Sequence, residues 1–375
     1  MNGFIAQSSR REALDLEGRM ECARLVGEEI ITDAELRRLF ETNERPSAYD
    51  GFEPSGLAHI AFGVMRATNI ADLQRAGVRF KLWVADWHAW LNNKMGGDLE
   101  KIQDVGRYFV EVWKAAGVDM SKVEVLWSSQ AVKGDDYWKK VVRVAQNVTL
   151  ERARRAISIM GRTSKDLVQT ATILYPMMQV ADIFWLDVDI CQLGIDQRRA
   201  NVLAREVAEK LGLKKPVAIH HHMLMGLEGM KTPEGFDENA AMDREIASKM
   251  SKSKPENSIF VHDSAEAIAR KLGGAYCPAK VVEGNPVLEY ARYIVFRRSH
   301  SLKVERPQKF GGNVEYSSYA ELESAYRSGS LHPADLKRGV ALALDGVISP
   351  IRSHFEKNPS ARRLYEAVKT AEITR

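Results

Sequence analysis

The stretch AYDGFEPSGLAHIAFG, Ala48 to Gly63, decides how the rest of the chain is read. It starts as a short strand ending near Phe52, breaks at Pro54-Ser55-Gly56, and turns apolar with helical spacing from Leu57 to Ile70. A strand, a tight turn and a helix in that order put the helix opening directly beneath the turn. Free backbone N–H groups and the positive end of the helix dipole there suit a nucleotide phosphate. His59 falls in the first turn of that helix, within reach of the same phosphate.

Such turns are common in α/β proteins, so a second stretch has to support the first. At Lys249–Ser253 the chain reads KMSKS, followed by Lys254-Pro255, with turn formers on both sides and no hydrophobic period. Two lysines separated by two residues in a flexible loop close over a polyphosphate. The plainer alternative is a solvated surface loop, and the pairing of the two stretches decides against it.

Outward from the opening stretch, strand-length runs alternate with helical ones. Residues 11–42 read as two helices, the second capped by Thr32 or Asp33, and Arg45-Pro46-Ser47 ends this outer layer. Strands are expected at Arg79–Asp86, Val123–Trp127, Asp189–Leu193 and Val217–His220. Helices are expected at Leu99–Ala116, Asp136–Arg162, from Pro176, and at Arg198–Leu211. Such alternation predicts an α/β, Rossmann-like parallel sheet covered on both faces, with its ligand beyond the carboxyl ends of the strands. After about Ser264 strand-like runs nearly vanish, and helices are expected at Ser264–Leu272, Pro286–Phe296, Ser318–Ser328 and His332–Ala343, with a turn at Phe310-Gly311-Gly312. The expected organisation is an N-terminal helical layer (1–47), a catalytic domain (48–263) that includes the loop at 249–253, and an α-helical domain (264–375).

The 375 residues suffice for two cores. A formal charge of +4 permits a nucleic-acid partner without arguing for one, because clustering of charge matters more than its sum. Cys22, Cys191 and Cys277 are too few and too scattered for a disulfide scaffold or a zinc ribbon. No run of 18 apolar residues and no secretory leader is present, so a cytoplasmic protein without a membrane segment is expected.

Polar residues then mark a site. In Tyr175-Pro176-Met177-Met178-Gln179-Val180-Ala181-Asp182, proline suits a first helical position, which puts Tyr175 at the mouth of a helix and Gln179 and Asp182 on one face. Such a face is either a pocket or a hydrogen-bonded core network. Asp196, in Gly194-Ile195-Asp196-Gln197 between a strand and a helix, accepts either from a ribose or from the helix N-terminus it caps. Asp86 and His88 end another strand and either border a pocket or cap the next helix. The run His220-His221-His222 does not read as a metal site, because consecutive histidines cannot converge on one ion and no carboxylate or cysteine lies at ligand spacing.

HIAF, at His59 to Phe62, resembles the first signature of the class I aminoacyl-tRNA synthetases, and KMSKS resembles the second. Around them, from about residue 30 to about residue 352, the chain is similar to the tyrosyl-tRNA synthetases of archaeal and eukaryotic type. Ala61 and Phe62 stand where Gly and a second His stand in the fullest form of the signature, so Phe62 is assigned no role.

The resemblance implies that Tyr49 and Asp182 bracket a phenolic OH and that Tyr175, Gln179 and Gln197 hold an α-amino group. It puts Gly51, His59, Gly194, Asp196, Met223, Leu224 and the loop Lys249, Met250, Ser251, Lys252 and Ser253 against ATP. His59, Lys249 and Lys252 form the electrostatic group, with Mg²⁺ carried on the ATP and no protein metal site. It also implies RNA contacts: Arg198 at the first base pair, with the basic run Arg152, Arg154 and Arg155 on the acceptor-stem side, and Phe310, His332 and Asp335 at the anticodon. The helical domain then binds the anticodon, and the partners are L-tyrosine, ATP, the tyrosine tRNA and a second copy of the chain. Alternatives are a tryptophanyl enzyme, a synthetase-like RNA-binding protein without aminoacylation, and a small nucleotidyltransferase.

Overall fold

The computed structural model describes residues 14–160, 169–231, 240–252 and 254–371. Six strands make the central sheet: β1 (Glu29–Ile31), β2 (Ser47–Phe52), β3 (Arg79–Val84), β4 (Val123–Trp127), β5 (Ile190–Gly194) and β6 (Val217–His221), in the order β1-β6-β5-β2-β3-β4. All neighbours run parallel except β1, which pairs antiparallel with β6 at the edge. The chain builds outward from β2 to β4, crosses back to β5 and builds outward again. The strand order therefore reverses between β2 and β5, where Tyr49 faces Cys191, and the crevice beyond their carboxyl ends is where an α/β sheet takes a ligand.

Alternation along the strands divides the core. Ala48, Phe52, Leu82 and Ile190 point into one apolar layer, whereas Tyr49, Trp83, Cys191 and Leu193 point into the other. The first layer continues without a break into the C-terminal helices, through Val287, Tyr290, Leu336 and Val368. The last helix, Pro359–Thr370, stacks Tyr365 on His262 with ring centroids 3.9 Å apart, which docks the C-terminal end on the segment following the KMSKS loop.

Several expectations change. The N-terminal layer is not purely helical. Between Leu16–Val26 and Asp33–Thr42 it adds β1 to the main sheet, and Thr32 and Glu35 form the capping box of the second helix. The C-terminal part carries a two-stranded antiparallel sheet, β7 (Leu302–Val304) and β8 (Val314–Tyr316). These short strands mostly pair with each other, a pattern too brief to register as periodicity. Asn147 ends the helix Asp135–Gln146, and Thr149 caps a new one at Leu150–Ala156, so the run expected to Arg162 is broken; its last two residues lie outside those described.

The helix through Pro176 begins at Ala171, not at the proline. One turn already precedes Pro176, and neighbouring packing tolerates the missing N–H donor. The helix after the opening turn begins later than expected. Ile60 N donates to Ile259 O at 2.9 Å and Val261 N to Ala58 O at 3.0 Å, so His59 forms an antiparallel bridge with Phe260 and the helix starts only after it, at Ile60. That pairing ties the first signature to the segment that follows the second, and no local pattern reveals it.

Candidate active site

The reversal between β2 and β5 opens into a cavity of about 870 Å³. It takes residues from the end of β2, the segment at His59, the helix Ala171–Leu186, the end of β5, the end of β6 and the loop at 249–252. Tyr49, Tyr175, Gln179, Asp182, Gln197, Gly51, His59, Gly194, Asp196, Met223, Leu224, Lys249, Met250, Ser251 and Lys252 all line it. Ser253 lies outside the described residues.

One end is a buried polar recess. Asp182, 2% exposed, accepts from Trp83 Nε1 at 2.9 Å and from Tyr137 Oη at 2.8 Å, and His88 Nε2 stands 3.1 Å away, off the line of a hydrogen bond. Burial disfavours a charge on His88, but the Asp182 carboxylate outweighs it and raises the imidazole above its ordinary range. A carboxylate offers about four acceptor positions, so Asp182 still has capacity for a ligand donor. Tyr49 Oη and Gln179 Oε1 are buried without a well-formed hydrogen bond, as is His88 Nδ1. Burial, followed by the fields of Cys191 and Asp182, keeps the Tyr49 phenol protonated. Buried polar atoms rarely stay unpaired, so three lining one recess mark a place for a polar ligand.

Beside the recess, Tyr175 Oη donates to Glu53 Oε1 at 2.6 Å, and Gln179 Nε2 donates to Gln197 Oε1 at 3.1 Å. Asn92 Nδ2 also holds Glu53, at 3.1 Å. These groups suit a small ammonium. Trp83, Tyr137 and Glu53 were missed by the sequence reasoning. Glu53 sits inside the opening stretch, just before Pro54, and its position there was the available signal; Tyr137, on a helix remote in sequence, had none.

The other end is cationic. Lys249 Nζ donates to Asp196 Oδ2 at 2.7 Å, and Lys252 Nζ donates to Ser55 Oγ at 3.0 Å while lying over the Phe109 ring. Burial raises the Asp196 carboxyl, but Lys249 overrides it and the net shift is downward. Met250 N donates to Leu224 O at 2.8 Å, so the KMSKS loop is tied to the segment after β6. A Cβ on Gly194 would meet Met223 Sδ at 2.6 Å and Asp196 Oδ1 at 2.7 Å, so a larger residue there would displace both. Lys94, in a turn whose neighbours Asn93 and Met95 have φ of 55° and 52°, is a further cation of this end. Arg66 supports the floor: its Nε donates to Asp50 Oδ2 at 3.1 Å and its Nη2 to Gly51 O at 2.9 Å. Phe62 is buried in an aromatic cluster with Phe52, Phe109 and Trp113, and Lys252 Nζ is 5.6 Å from its ring centroid.

His59 is not a cation. Burial, with Lys252 and Lys249 nearby, lowers its imidazole to about 3. Its Nδ1 accepts from Phe62 N at 3.3 Å, which leaves Nε2 as the N–H donor. The helix N-terminus is also less available than the sequence suggested. Ile60 N goes to Ile259 O, and Phe62 N and Gly63 N go to His59 O, so positive charge here comes from side chains. Burial and Lys94 pull Lys252 down to about 7, against the opposing pull of Glu53. Lys252 is therefore protonated below that pH, and kcat/KM for an anionic substrate bound at this end should fall as pH rises through about 7. The fall should flatten in Lys252→Ala, read from pH–rate profiles.

Asp86 is structural, accepting from Ser128 Oγ at 2.7 Å and from Gln103 Nε2 at 3.0 Å. The three histidines at the end of β6 diverge, as consecutive residues must. His220 Nδ1 meets Glu29 Oε2 at 2.8 Å, and His221 Nδ1 meets Gln192 at 2.7 Å. His222, however, has carboxylates brought to it by the fold: ligand-type atoms of Glu28, His222 and Glu245 lie within 4.8 Å of one another. The expectation of no carboxylate near this run holds only along the sequence.

Of the residues expected at RNA, Arg198 is engaged with Glu29, at 2.9 Å from both carboxylate oxygens. Arg152 and Arg155 pair with Glu206 and Glu151. Phe310 is 60% exposed on a turn where Gly311 and Gly312 take φ of 95° and 70°, which favours glycine. Arg306 Nη1 ties that turn to Ser330 O at 3.0 Å, beside His332, which caps the helix Pro333–Lys357. Asp335 is 8% exposed and paired with Arg338.

A sequence profile described as tRNA synthetases class I (W and Y) matches residues 41–348. The chain is 46% identical over 364 residues to tyrosine–tRNA ligase 1, cytoplasmic, of Arabidopsis thaliana, covering 96% of this chain and 90% of that protein. It is 47% identical over 340 residues to tyrosine–tRNA ligase of Sulfurisphaera tokodaii, covering 90% and 92% respectively. Tyrosyl-tRNA synthetase from Pyrococcus horikoshii complexed with L-tyrosine superposes with a TM-score of 0.86 at 42% identity, covering 94% of this chain and all of that one. The chain therefore belongs to the class I tRNA synthetases of the W and Y family, and the relatives named above are tyrosine enzymes of archaea and a eukaryote.

Proposed function

We propose that this chain is a tyrosine–tRNA ligase. It joins L-tyrosine to ATP as tyrosyl-adenylate with release of pyrophosphate, then passes the tyrosyl group to the 3′-terminal ribose of the tyrosine tRNA. The observation that carries the reading is the recess of Asp182, Tyr49 and their buried donors opening directly onto the lysines of the second signature. A phenol OH donates to Asp182 and accepts from Tyr49, and the α-amino group meets Tyr175, Gln179, Gln197 and Glu53. Tryptophan, with no OH, leaves Tyr49 and Asp182 unmatched, which is the larger penalty in a buried site.

The carboxylate of tyrosine is already an anion at neutral pH, so its attack on the α-phosphorus requires no general base. Its oxygen forms the new P–O bond as the bond to the β-phosphate oxygen breaks, and pyrophosphate leaves. The protein supplies position and charge: Lys249 and Lys252 meet the phosphates, His59 donates from Nε2, and Asp196 faces the ribose. The carboxylates lining the cavity, Glu53, Asp182 and Asp196, are all bonded to protein partners. Mg²⁺ therefore fits this site as an ion brought in on the ATP phosphates, where it neutralises charge on the leaving group. The ribose hydroxyl of the tRNA then attacks the adenylate carbonyl and AMP departs.

Steady-state ATP–pyrophosphate exchange with tyrosine, tryptophan and phenylalanine in turn tests the reading. Exchange should depend on tyrosine, and activity with tryptophan alone would overturn it. For the RNA step, the exposed Phe310 ring stacks on an unpaired anticodon base. Phe310→Ala should raise KM for tRNA about 10- to 100-fold, the stacking of one base, while leaving pyrophosphate exchange unchanged. We take the active form to be a homodimer acting in the cytoplasm, as in the name of the Arabidopsis relative for the compartment and by resemblance for the pairing; sedimentation would measure the latter. Among the described residues, no helix is long and apolar enough to cross a membrane.

A further inference from the structure

His222 borders the cavity but takes no part in the chemistry above. Its Nδ1 lies 3.1 Å from Glu28 Oε2 and 3.0 Å from Glu245 Oε1, and its Nε2 lies 3.1 Å from Glu289 Oε1, off the line of a hydrogen bond. Its ring stacks on Tyr293 with centroids 4.3 Å apart. Carboxylates beside both ring nitrogens favour a proton on each, because a neutral imidazole would turn one lone pair toward an anion. Burial opposes that charge, but the contacts with Glu245, Glu28 and Glu289 outweigh it and raise the imidazole far above its ordinary range. Arg292 is the other cation at the cluster, acting on Glu28 and lying over the Tyr293 ring.

The three glutamates come from three parts of the chain. Glu28 precedes β1, and Glu289 sits on the helix Pro286–Tyr290. Glu245 is on the helix Ala240–Ser248, which runs directly into Lys249. Glu245 Oε1 also accepts from Met223 N at 2.6 Å, and Glu289 Oε2 from Met225 N at 2.9 Å. One cation therefore sits where the strand end facing the nucleotide, the helix leading into the KMSKS loop and the short helix Pro286–Tyr290 of the C-terminal part converge.

We propose that His222 is a positioning residue for Lys249: its imidazolium clamps Glu245 and thereby holds the helix that delivers the KMSKS loop to the nucleotide end of the cavity. The proposal rests on the tyrosine-activation reading. Without the cation, the largely shielded Glu245 and Glu289 face each other and the more exposed Glu28 as like charges, and the helix carrying Glu245 is the element with a direct covalent path to Lys249.

The test uses the full chain and pyrophosphate exchange. His222→Gln should lower kcat about 10-fold, with KM for ATP and tyrosine affinity within about twofold of the parent. Adding Glu245→Gln, which removes one charge but keeps its acceptor for Met223 N, should recover at least about threefold of that loss. An unchanged kcat, a rise in ATP KM alone, or no recovery in the double variant would each overturn the proposal. If His222→Gln does not fold, Glu245→Gln and Glu28→Gln carry the test. The first should lower kcat about threefold and the second should not, and equal effects would overturn the proposal. Absence of tyrosine-dependent exchange in the parent chain would instead reject the tyrosine-activation reading, so the two failures are distinguishable.

Discussion

Asp182→Ala should all but abolish tyrosine-dependent pyrophosphate exchange, with kcat/KM for tyrosine falling about 10³-fold, the effect of removing about 4 kcal/mol of buried, charge-assisted bonding. The carboxylate is buried at the bottom of the recess, and Trp83 Nε1 and Tyr137 Oη already point at it. Truncation takes the acceptor from the substrate phenol and from both of these donors, and leaves His88 without the charge that raises it. Two donors lose their partner inside the core, so the melting temperature should fall as well, at about 1–3 kcal/mol for each. Asp182→Asn separates the two effects. It preserves shape and one acceptor, so stability should largely return while kcat/KM for tyrosine stays well below the parent. A near-normal tyrosine KM in either variant would remove the central support for the substrate assignment.

Lys252→Ala is expected to lower kcat for exchange about 10²- to 10³-fold, the usual cost of deleting one preorganised charge-stabilising group in an active site. Equilibrium binding of tyrosine should remain within about twofold, because Lys252 sits at the other end of the cavity. There it donates to Ser55 Oγ and lies over Phe109. An ammonium held over aromatic rings, beside Lys94 and Arg66, is poorly solvated and repelled by its neighbours, which is why its proton is loosely held at about 7. Polyanionic phosphate arriving there relieves both penalties, so the interaction strengthens as charge moves onto the leaving group. Loss of tyrosine affinity matching the loss of kcat would show that the lysine serves the fold rather than the reaction.

Much of the fold was legible from period and punctuation. The parallel strands β2 to β6 were read within a few residues, because each is a short apolar run bounded by turn formers, a property of consecutive residues alone. The helix Arg198–Leu211 was read at both ends for the same reason. β1 was not, since three residues carry no period and become a strand only by pairing with Ala218 to His220. Likewise the helix after the opening turn starts late because a partner two hundred residues away, Ile259 to Val261, captures its first backbone groups.

At the site, residue types and spacing pointed to His59, the two lysines and a polar helix face carrying Gln179 and Asp182, while Tyr49 and the pocket role of Asp182 came from the family resemblance. Which groups those residues meet was decided by the tertiary structure. Trp83 and Tyr137 reach Asp182 only because β3 and the helix Asp135–Gln146 flank it. His59 is neutral only because the fold buries it beside Lys249 and Lys252. Arg198 meets Glu29, and His222 meets Glu28, Glu245 and Glu289, across the sheet edge and the segment after it. Charge state and hydrogen-bond partner depend on distance and burial in three dimensions, and contacts between segments far apart in the chain leave no trace in local sequence.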